Sequence, residues 1–302
     1  MLDKHDKRHK MRFENMRICS IIVLYNPDIS GTNALVKKML SQVEHVYLID
    51  NSMHNYESYF SDNNVSYIFL KGNKGIAAAQ NIGIKECIKA KYEYIIFSDQ
   101  DSMIPDDTVK GLIQSLNLLE SRDIKVGSIG TKAINKETGI PYTLGCNLIQ
   151  ENIFSNITEV TYTMNSISLF KSSYFKDIGL MDEKLFIDGV DSEICWRGAT
   201  KNYRFFINNN IEIQHLLGLG SKKVGNKYIS LTPPKRMYYQ YRNFLYLRKK
   251  RYVPKKWVRA NRKKYFEKIL YYPLMVSPRC LYIKYITLGI IDGIKMNHNI
   301  KQ

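Results

Sequence analysis

The sequence predicts an α/β fold, a mostly parallel, doubly wound central sheet with helices on both faces, followed by a basic helical extension. Three observations predict it. Short β-branched runs alternate with helix-period stretches, three of the first four runs end in polar residues, and nearly all the net charge lies in the last 68 residues. The runs Arg17–Tyr25, Val43–Asp50, Val65–Leu70 and Tyr92–Asp99 are apolar, short and bounded by turn residues, the pattern of buried parallel strands. Between and after them, Ala34–Gln42, Gly75–Ala90 and Asp106–Leu119 carry helical periodicity. Pro105 and two aspartates suit the start of the last helix.

Composition narrows the class. With 302 residues, 44% hydrophobic and 24% charged, the chain is globular and long enough for a full core. The longest stretch free of Lys, Arg, Asp and Glu, Thr138 to Gln150, is 13 residues, short of the roughly 20 a spanning helix needs. Segment 1–16 is charged, with no apolar stretch before Ile18, so neither a signal peptide nor an anchor is expected and the chain is placed in the cytosol. The five cysteines are odd in number and widely spaced, as reduced thiols would be.

The net charge of +17 is local. Residues 1–234 hold 27 basic and 26 acidic side chains, and residues 235–302 hold 18 and 2. Nucleic acid is therefore not an expected partner. Tyr, Ile and Leu interleave with the cations of the extension, which suits an anionic membrane surface, with a solvated helical face as the alternative. The expected organisation is a polar segment 1–16, a catalytic unit 17–234 with halves 17–102 and 103–234, and the extension 235–302.

In a doubly wound sheet, ligands sit beyond the carboxyl ends of the strands. Those ends carry Tyr25-Asn26-Pro27, Asp50-Asn51-Ser52 and Asp99-Gln100-Asp101-Ser102. One aspartate after a strand commonly caps a helix; three polar ends together point to one crevice. Asp99 and Asp101 can turn toward a single hard cation, Mg2+ or Mn2+, and a diphosphate that it carries. The small-residue loop Gly72–Gly83 lets backbone approach a ligand, but it lacks GxGxxG spacing, and GxxxxGK[ST] is absent, so dehydrogenase and P-loop readings are disfavoured. A second cluster, Asp188, Asp191 and Glu193, opens a helix whose dipole would keep a carboxylate base ionised; a simple N-cap is the alternative. His215 is either a core histidine or a metal or diphosphate contact.

In order, LYNP, LIDNS, NKGIAAAQNIGI, FSDQDS, FIDGVDSEICWR, HLLG and RMYYQYRNFLYL resemble the family 2 inverting glycosyltransferases of GT-A fold, and within them the bacterial rhamnosyltransferase branch, over Arg17 to Leu247. The resemblance implies roles. Asp50 would read the donor's pyrimidine base, with Tyr25 and Asn26 nearby and Asn73, Gly75 and Asn81 around the nucleoside. Asp99 and Asp101 would hold the metal, with His215 meeting metal or diphosphate. Asp191 would be the catalytic base, Asp188 and Glu193 would orient acceptor or base, and Arg236, Tyr239 and Arg242 would close over the donor. The implied donor is dTDP-L-rhamnose, with UDP-galactofuranose, UDP-glucose or UDP-galactose as alternatives. The implied acceptor is a lipid-diphosphate-linked saccharide of a bacterial surface polysaccharide, at the inner face of the membrane. A non-catalytic nucleotide-sugar or membrane-binding module is the alternative of another class.

Overall fold

The computed structural model describes residues 16–136, 139–142, 152–154, 156–215, 221–224, 227–230 and 232–298. Its first half is the alternation read from the sequence: β1 (Ile18–Leu24), α1 (Ile29–Leu40), β2 (His45–Asp50), β3 (Val65–Phe69), α2 (Ile76–Lys89), β4 (Tyr94–Asp99) and α3 (Thr108–Glu120). Helix α1 begins earlier than its apolar periodicity suggests because Asp28 caps it, accepting from the Gly31 N–H at 3.0 Å. At α3 the two aspartates do not cap with their side chains. Asp106 pairs with Lys38 instead, and Asp107 is left-handed at φ 56°.

The chain continues through β5 (Val126–Asn135), β6 (Asn152–Phe154), β7 (Ile157–Val160), β8 (Ile167–Lys171), α4 (Ser172–Ile178), α5 (Val190–Ala199) and β9 (Arg204–His215). The nine strands form one sheet in the order β3-β2-β1-β4-β8-β5-β9-β7-β6. The mostly parallel sheet expected from the sequence holds for β3-β2-β1-β4. Beyond β4 only β5 and β9 pair in parallel, and β8 runs antiparallel to both its neighbours. Parallel neighbours need a crossover, usually helical, and no helix lies between β5 and β8 among the described residues.

Side chains alternate across the sheet and build a core on each face. Ile22 and Leu24 of β1 pack with Met39 of α1 and Leu112 of α3. Cys19 and Ile21 face the other way, toward Ala79 of α2, Phe175 of α4 and Trp196 of α5.

The basic extension is three helices, α6 (Pro234–Leu247), α7 (Lys255–Met275) and α8 (Arg279–His298). It is built into the catalytic body: Tyr246, Leu247 and Val253 are buried in the core on the α2 face, and Trp257 lies 4.9 Å from Trp196. Helix α8 crosses α6 at glycine, where a Cβ on Gly289 would fall 2.4 Å from the Tyr238 carbonyl oxygen. The boundary at 234/235 thus marks a change of composition and not of packing. No helix among the described residues is long and apolar enough to cross a membrane.

Candidate active site

Strand register assembles the crevice. β1 lies between β2 and β4, with Leu24 opposite Asp50 and Val23 opposite Asp99, so both aspartates end at the same sheet edge. Gln100 fastens the loop that carries Asp99 and Asp101. Its carboxamide accepts from the Tyr25 N–H at 2.7 Å and donates to the Tyr25 carbonyl at 3.2 Å. Asp101 is exposed beside a cavity of about 560 Å³ between α1 and this loop. Asn26 is left-handed at φ 46°, and its N–H donates to Ser52. Asp50 is fully buried, taking the Ser52 N–H at 2.8 Å and the Tyr67 hydroxyl, and burial, reinforced by this hydrogen bond, raises the tyrosine pKa.

Across the edge lies the acid loop. Phe186 and Asp188 have φ of 63° and 62°, and Gly189 has 93°, a run of left-handed residues that non-glycine side chains resist. Five neighbours hold it. The amide of Asn243, on α6, donates to the Leu185, Ile187 and Asp188 carbonyls at 2.8, 2.6 and 2.9 Å. Arg242 donates to the Lys184 and Leu185 carbonyls, and Tyr239 stacks on Phe186 with centroids 4.6 Å apart. Arg236 grips Asp188 with Nε and Nη2 at 2.9–3.2 Å. The Ile76 N–H, at the start of α2, donates to the Phe186 carbonyl at 2.7 Å, and a Cβ on Gly75 would meet that ring at 2.6 Å. Asn73 and Asn51 complete this seam: Asn73 accepts from the Gly75 N–H, and Asn51 accepts from the Lys74 N–H.

Asp191 sits in the first turn of α5, with Oδ2 accepting the Asn165 N–H at 3.2 Å. Asn165 lies two residues before β8, whose antiparallel register starts it beside the end of β4. Asp191 is thereby brought to the Asp99 edge. Loss of water raises its carboxyl to about 7, with the charges of Asp99 and Asp188 adding to the rise. Arg236 is the cation among the three: Asp188, Asp99 and Asp191 all favour its charge, which burial opposes.

Three expected site residues are engaged by other protein groups. Glu193 lies two positions from Asp191, on the opposite side of the helix. It is buried, paired with Arg197 at 2.9 and 3.0 Å, and accepts the Tyr252 hydroxyl. Its carboxylate is engaged by Arg197 and Tyr252 and not by the acid loop. Asn81 is likewise buried and spent on the turn after α4, donating to the Met181 carbonyl and Glu183 and accepting the Met181 N–H, so it does not line the nucleoside loop. Arg242 closes on backbone carbonyls of the acid loop. His215 ends β9, and its side chain lies outside the described residues, as do residues 216–220, which hold the HLLG motif beyond that histidine. Gln100, Asn51, Asn165 and Asn243 were not singled out beforehand. Gln100, Asn51 and Asn243 lie within the motifs above and Asn165 lies outside them, and an amide's orientation leaves no mark in sequence.

The site suits a hard cation. Asp99 supplies an oxygen donor beside Asp191 and Asp188, and Asp101 follows it, exposed, on the same loop, although no group of three His, Cys, Asp or Glu ligands is preassembled among the described residues. Water and a ligand's phosphate oxygens would have to complete such a shell.

The comparisons with known proteins agree with this arrangement. The model of the family described as Glycosyl transferase family 2 matches residues 20–179, more than half of the chain. The chain is 32% identical over 250 residues to the dTDP-rhamnosyl transferase RfbF of Shigella flexneri, covering 80% of this chain and 82% of that protein. It is 25% identical over 158 residues to a poly-beta-1,6-N-acetyl-D-glucosamine synthase of Staphylococcus epidermidis, covering 49% of this chain and 35% of that one. Among solved structures, S. aureus TarS 1-349 superposes with a TM-score of 0.52 at 17% identity, covering 92% and 81% of the two chains. GalNAc-T7 with UDP, GalNAc and Mn2+ superposes at 0.53 and 14% identity, covering 87% of this chain and 58% of that one. At such identities these two share the GT-A fold with the chain.

Proposed function

The chain belongs to glycosyl transferase family 2, and on that premise we propose that it is a metal-dependent inverting rhamnosyltransferase, taking L-rhamnose from dTDP-L-rhamnose to a lipid-diphosphate-linked saccharide. The observation that carries the chemistry is Asp191, desolvated, fixed by the Asn165 N–H, and within the field of Asp99. The observation that favours the donor is the 32% identity to a dTDP-rhamnosyl transferase.

In this reading Asp191 takes the proton of an acceptor hydroxyl, whose oxygen attacks the anomeric carbon as that carbon's bond to the diphosphate oxygen breaks. One displacement inverts the centre, so a β-linked donor yields an α-L-rhamnoside. A carboxyl near 7 is matched to this task, since a base works best with its pKa near the working pH. Arg236 holds Asp188 and keeps the left-handed loop in place. The Tyr25–Asn26 turn, Asp50 and the Asn73–Gly75 seam form the nucleoside side, with Asp50 fixed by Ser52 and Tyr67. Asp99 and Asp101 would hold Mg2+ or Mn2+, which neutralises charge on the departing diphosphate. His215 is proposed as a further metal or diphosphate contact.

The extension would hold the enzyme at an anionic leaflet. Phe266, Leu270 and Leu274 recur every four residues along α7 and are 64%, 52% and 61% exposed, next to exposed Arg262 and Lys263. Transfer assays with dTDP-L-rhamnose beside UDP-hexoses, each with Mg2+ and Mn2+, test the reading. Product from a UDP-sugar alone would keep the mechanism and replace the donor.

A further inference from the structure

The extension also brings cations to the crevice. Arg236 and Gln240 are one turn apart on α6, and Lys264 and Lys268 are one turn apart on α7. The Lys268 ammonium donates to Gln240 Oε1 at 2.7 Å, which sets the two helices in register and leaves the Gln240 Nε2 donor to point elsewhere. Lys268 also lies over the Tyr265 and Tyr272 rings, at 5.7 and 5.9 Å.

These lysines differ from Arg236. Arg236 is neutralised by Asp188, whereas neither Lys264 nor Lys268 has a carboxylate partner within 4.0 Å among the described residues. Burial, together with the like charges of Lys264 and Arg236, pulls Lys268 down to about 7. Lys268, half-buried against Gln240 and the two tyrosine rings, and the exposed Lys264 one turn before it offer ammoniums that, with the Gln240 amide donor, suit an anion.

Position tells which anion. Arg236 holds Asp188 of the acid loop, Gln240 follows one turn further along α6, and Lys268 bonds Gln240 at 2.7 Å, so a chain of contacts leads from the acid loop to Lys268. A donor diphosphate belongs at the Asp99 end. A second phosphate group at Lys268 would sit on the α6–α7 flank of the acid loop.

We propose that Lys264 and Lys268, with Gln240, form a second phosphate site, which takes the diphosphate of the acceptor and directs its saccharide toward Asp191. This rests on the acceptor class proposed above.

The test pairs two acceptors that carry the same saccharide, one on a short-chain lipid diphosphate and one on a neutral alkyl chain. In the full-length K264Q/K268Q double variant, KM for the diphosphate acceptor should rise about ten-fold or more, as loss of charge-assisted contacts implies. KM for the neutral acceptor and for the donor should stay unchanged, and Lys268→Arg should restore much of the loss. An equal rise for both acceptors would make the lysines structural, a rise in donor KM would assign them to the leaving group, and no change would remove the site; each outcome overturns the proposal. A second readout does not need turnover. Calorimetric titration of the full-length protein with inorganic pyrophosphate in EDTA, after saturation with dTDP, should show binding that the double variant weakens about ten-fold. That binding would stand even if no saccharide acceptor reacted, which separates this site from the function reading. No binding to the wild-type protein would overturn it.

Discussion

Arg236 reaches from α6 to Asp188 with three nitrogen–oxygen contacts of 2.9 to 3.2 Å, so the basic extension clamps the acid loop of the catalytic sheet. The clamp is nearly bidentate, a geometry that lysine cannot reproduce. Arg236→Lys should lower kcat/KM about ten-fold or more while the protein stays folded, because Asp188 is left half-paired beside Asp191. Steady-state kinetics with circular dichroism check this; wild-type kcat/KM in the lysine variant would remove the clamp from the mechanism.

Asp191 links activity and stability in opposite directions. Its folded carboxyl value, about 7, lies above the roughly 3.9 of an unfolded aspartate. The native state therefore holds the proton more tightly, and ionisation destabilises it. This cost is absent below about pH 4, grows by about 1.4 kcal/mol per pH unit up to about 7, and is constant above. Asp191→Asn should melt higher than wild type at pH 8 and alike at pH 3, although it abolishes most turnover. In the wild type, kcat/KM should climb as pH rises toward about 7. Equal melting temperatures at pH 8 would mean that the carboxyl is not desolvated.

Glu193, two positions from Asp191 in sequence, should prove a stability residue. Glu193→Gln leaves the half-buried Arg197 without its counter-charge and the Tyr252 hydroxyl without its carboxylate, a loss of about 1–3 kcal/mol for charge-assisted hydrogen bonds. Chemical denaturation should show that loss, and kcat of the remaining folded fraction should be close to wild type. A selective fall in kcat with unchanged stability would return Glu193 to the active site.

Gly75 carries both a positive φ of 89° and a contact that leaves no room for a methyl group against Phe186. Gly75→Ala should cost about 1–3 kcal/mol and raise the donor KM, since the Asn73–Gly75 seam shifts. Crystallography or denaturation of the variant checks the first, donor titration the second.

The exposed stripe of α7 offers a test of membrane attachment that spares the fold. Truncation after Leu247 would strip Val253 and Trp257 from the core. Leu270→Ser with Leu274→Ser should instead weaken co-sedimentation with anionic vesicles and leave transfer to a water-soluble acceptor intact. Undiminished vesicle binding would refute attachment through this face.

The first four strands and the polar strand ends were readable because parallel βαβ units repeat one local pattern, and register then carries Asp50 and Asp99 to one edge. The second half was less readable. β8 pairs with β4 and β5 through contacts distant in sequence, and no local periodicity records an antiparallel neighbour. Within the acid cluster, spacing could not separate roles. Asp188 and Asp191 meet the crevice while Glu193, on the same short helix start, turns into the core, a division decided by helical phase and by Arg197 and Tyr252 waiting on the other side. The role proposed for Lys268 was hidden for another reason: eighteen basic residues in the last 68 read as one surface charge until packing sets this lysine against Gln240.

The most direct measurement is transfer from dTDP-L-rhamnose to a synthetic lipid-diphosphate saccharide, with Mg2+ or Mn2+, run in parallel with Asp191→Asn. The account predicts an α-L-rhamnoside, a loss of about 10²- to 10⁴-fold in kcat for the variant, and nearly unchanged donor affinity. Product with retained anomeric configuration, or a variant as active as wild type, would contradict it.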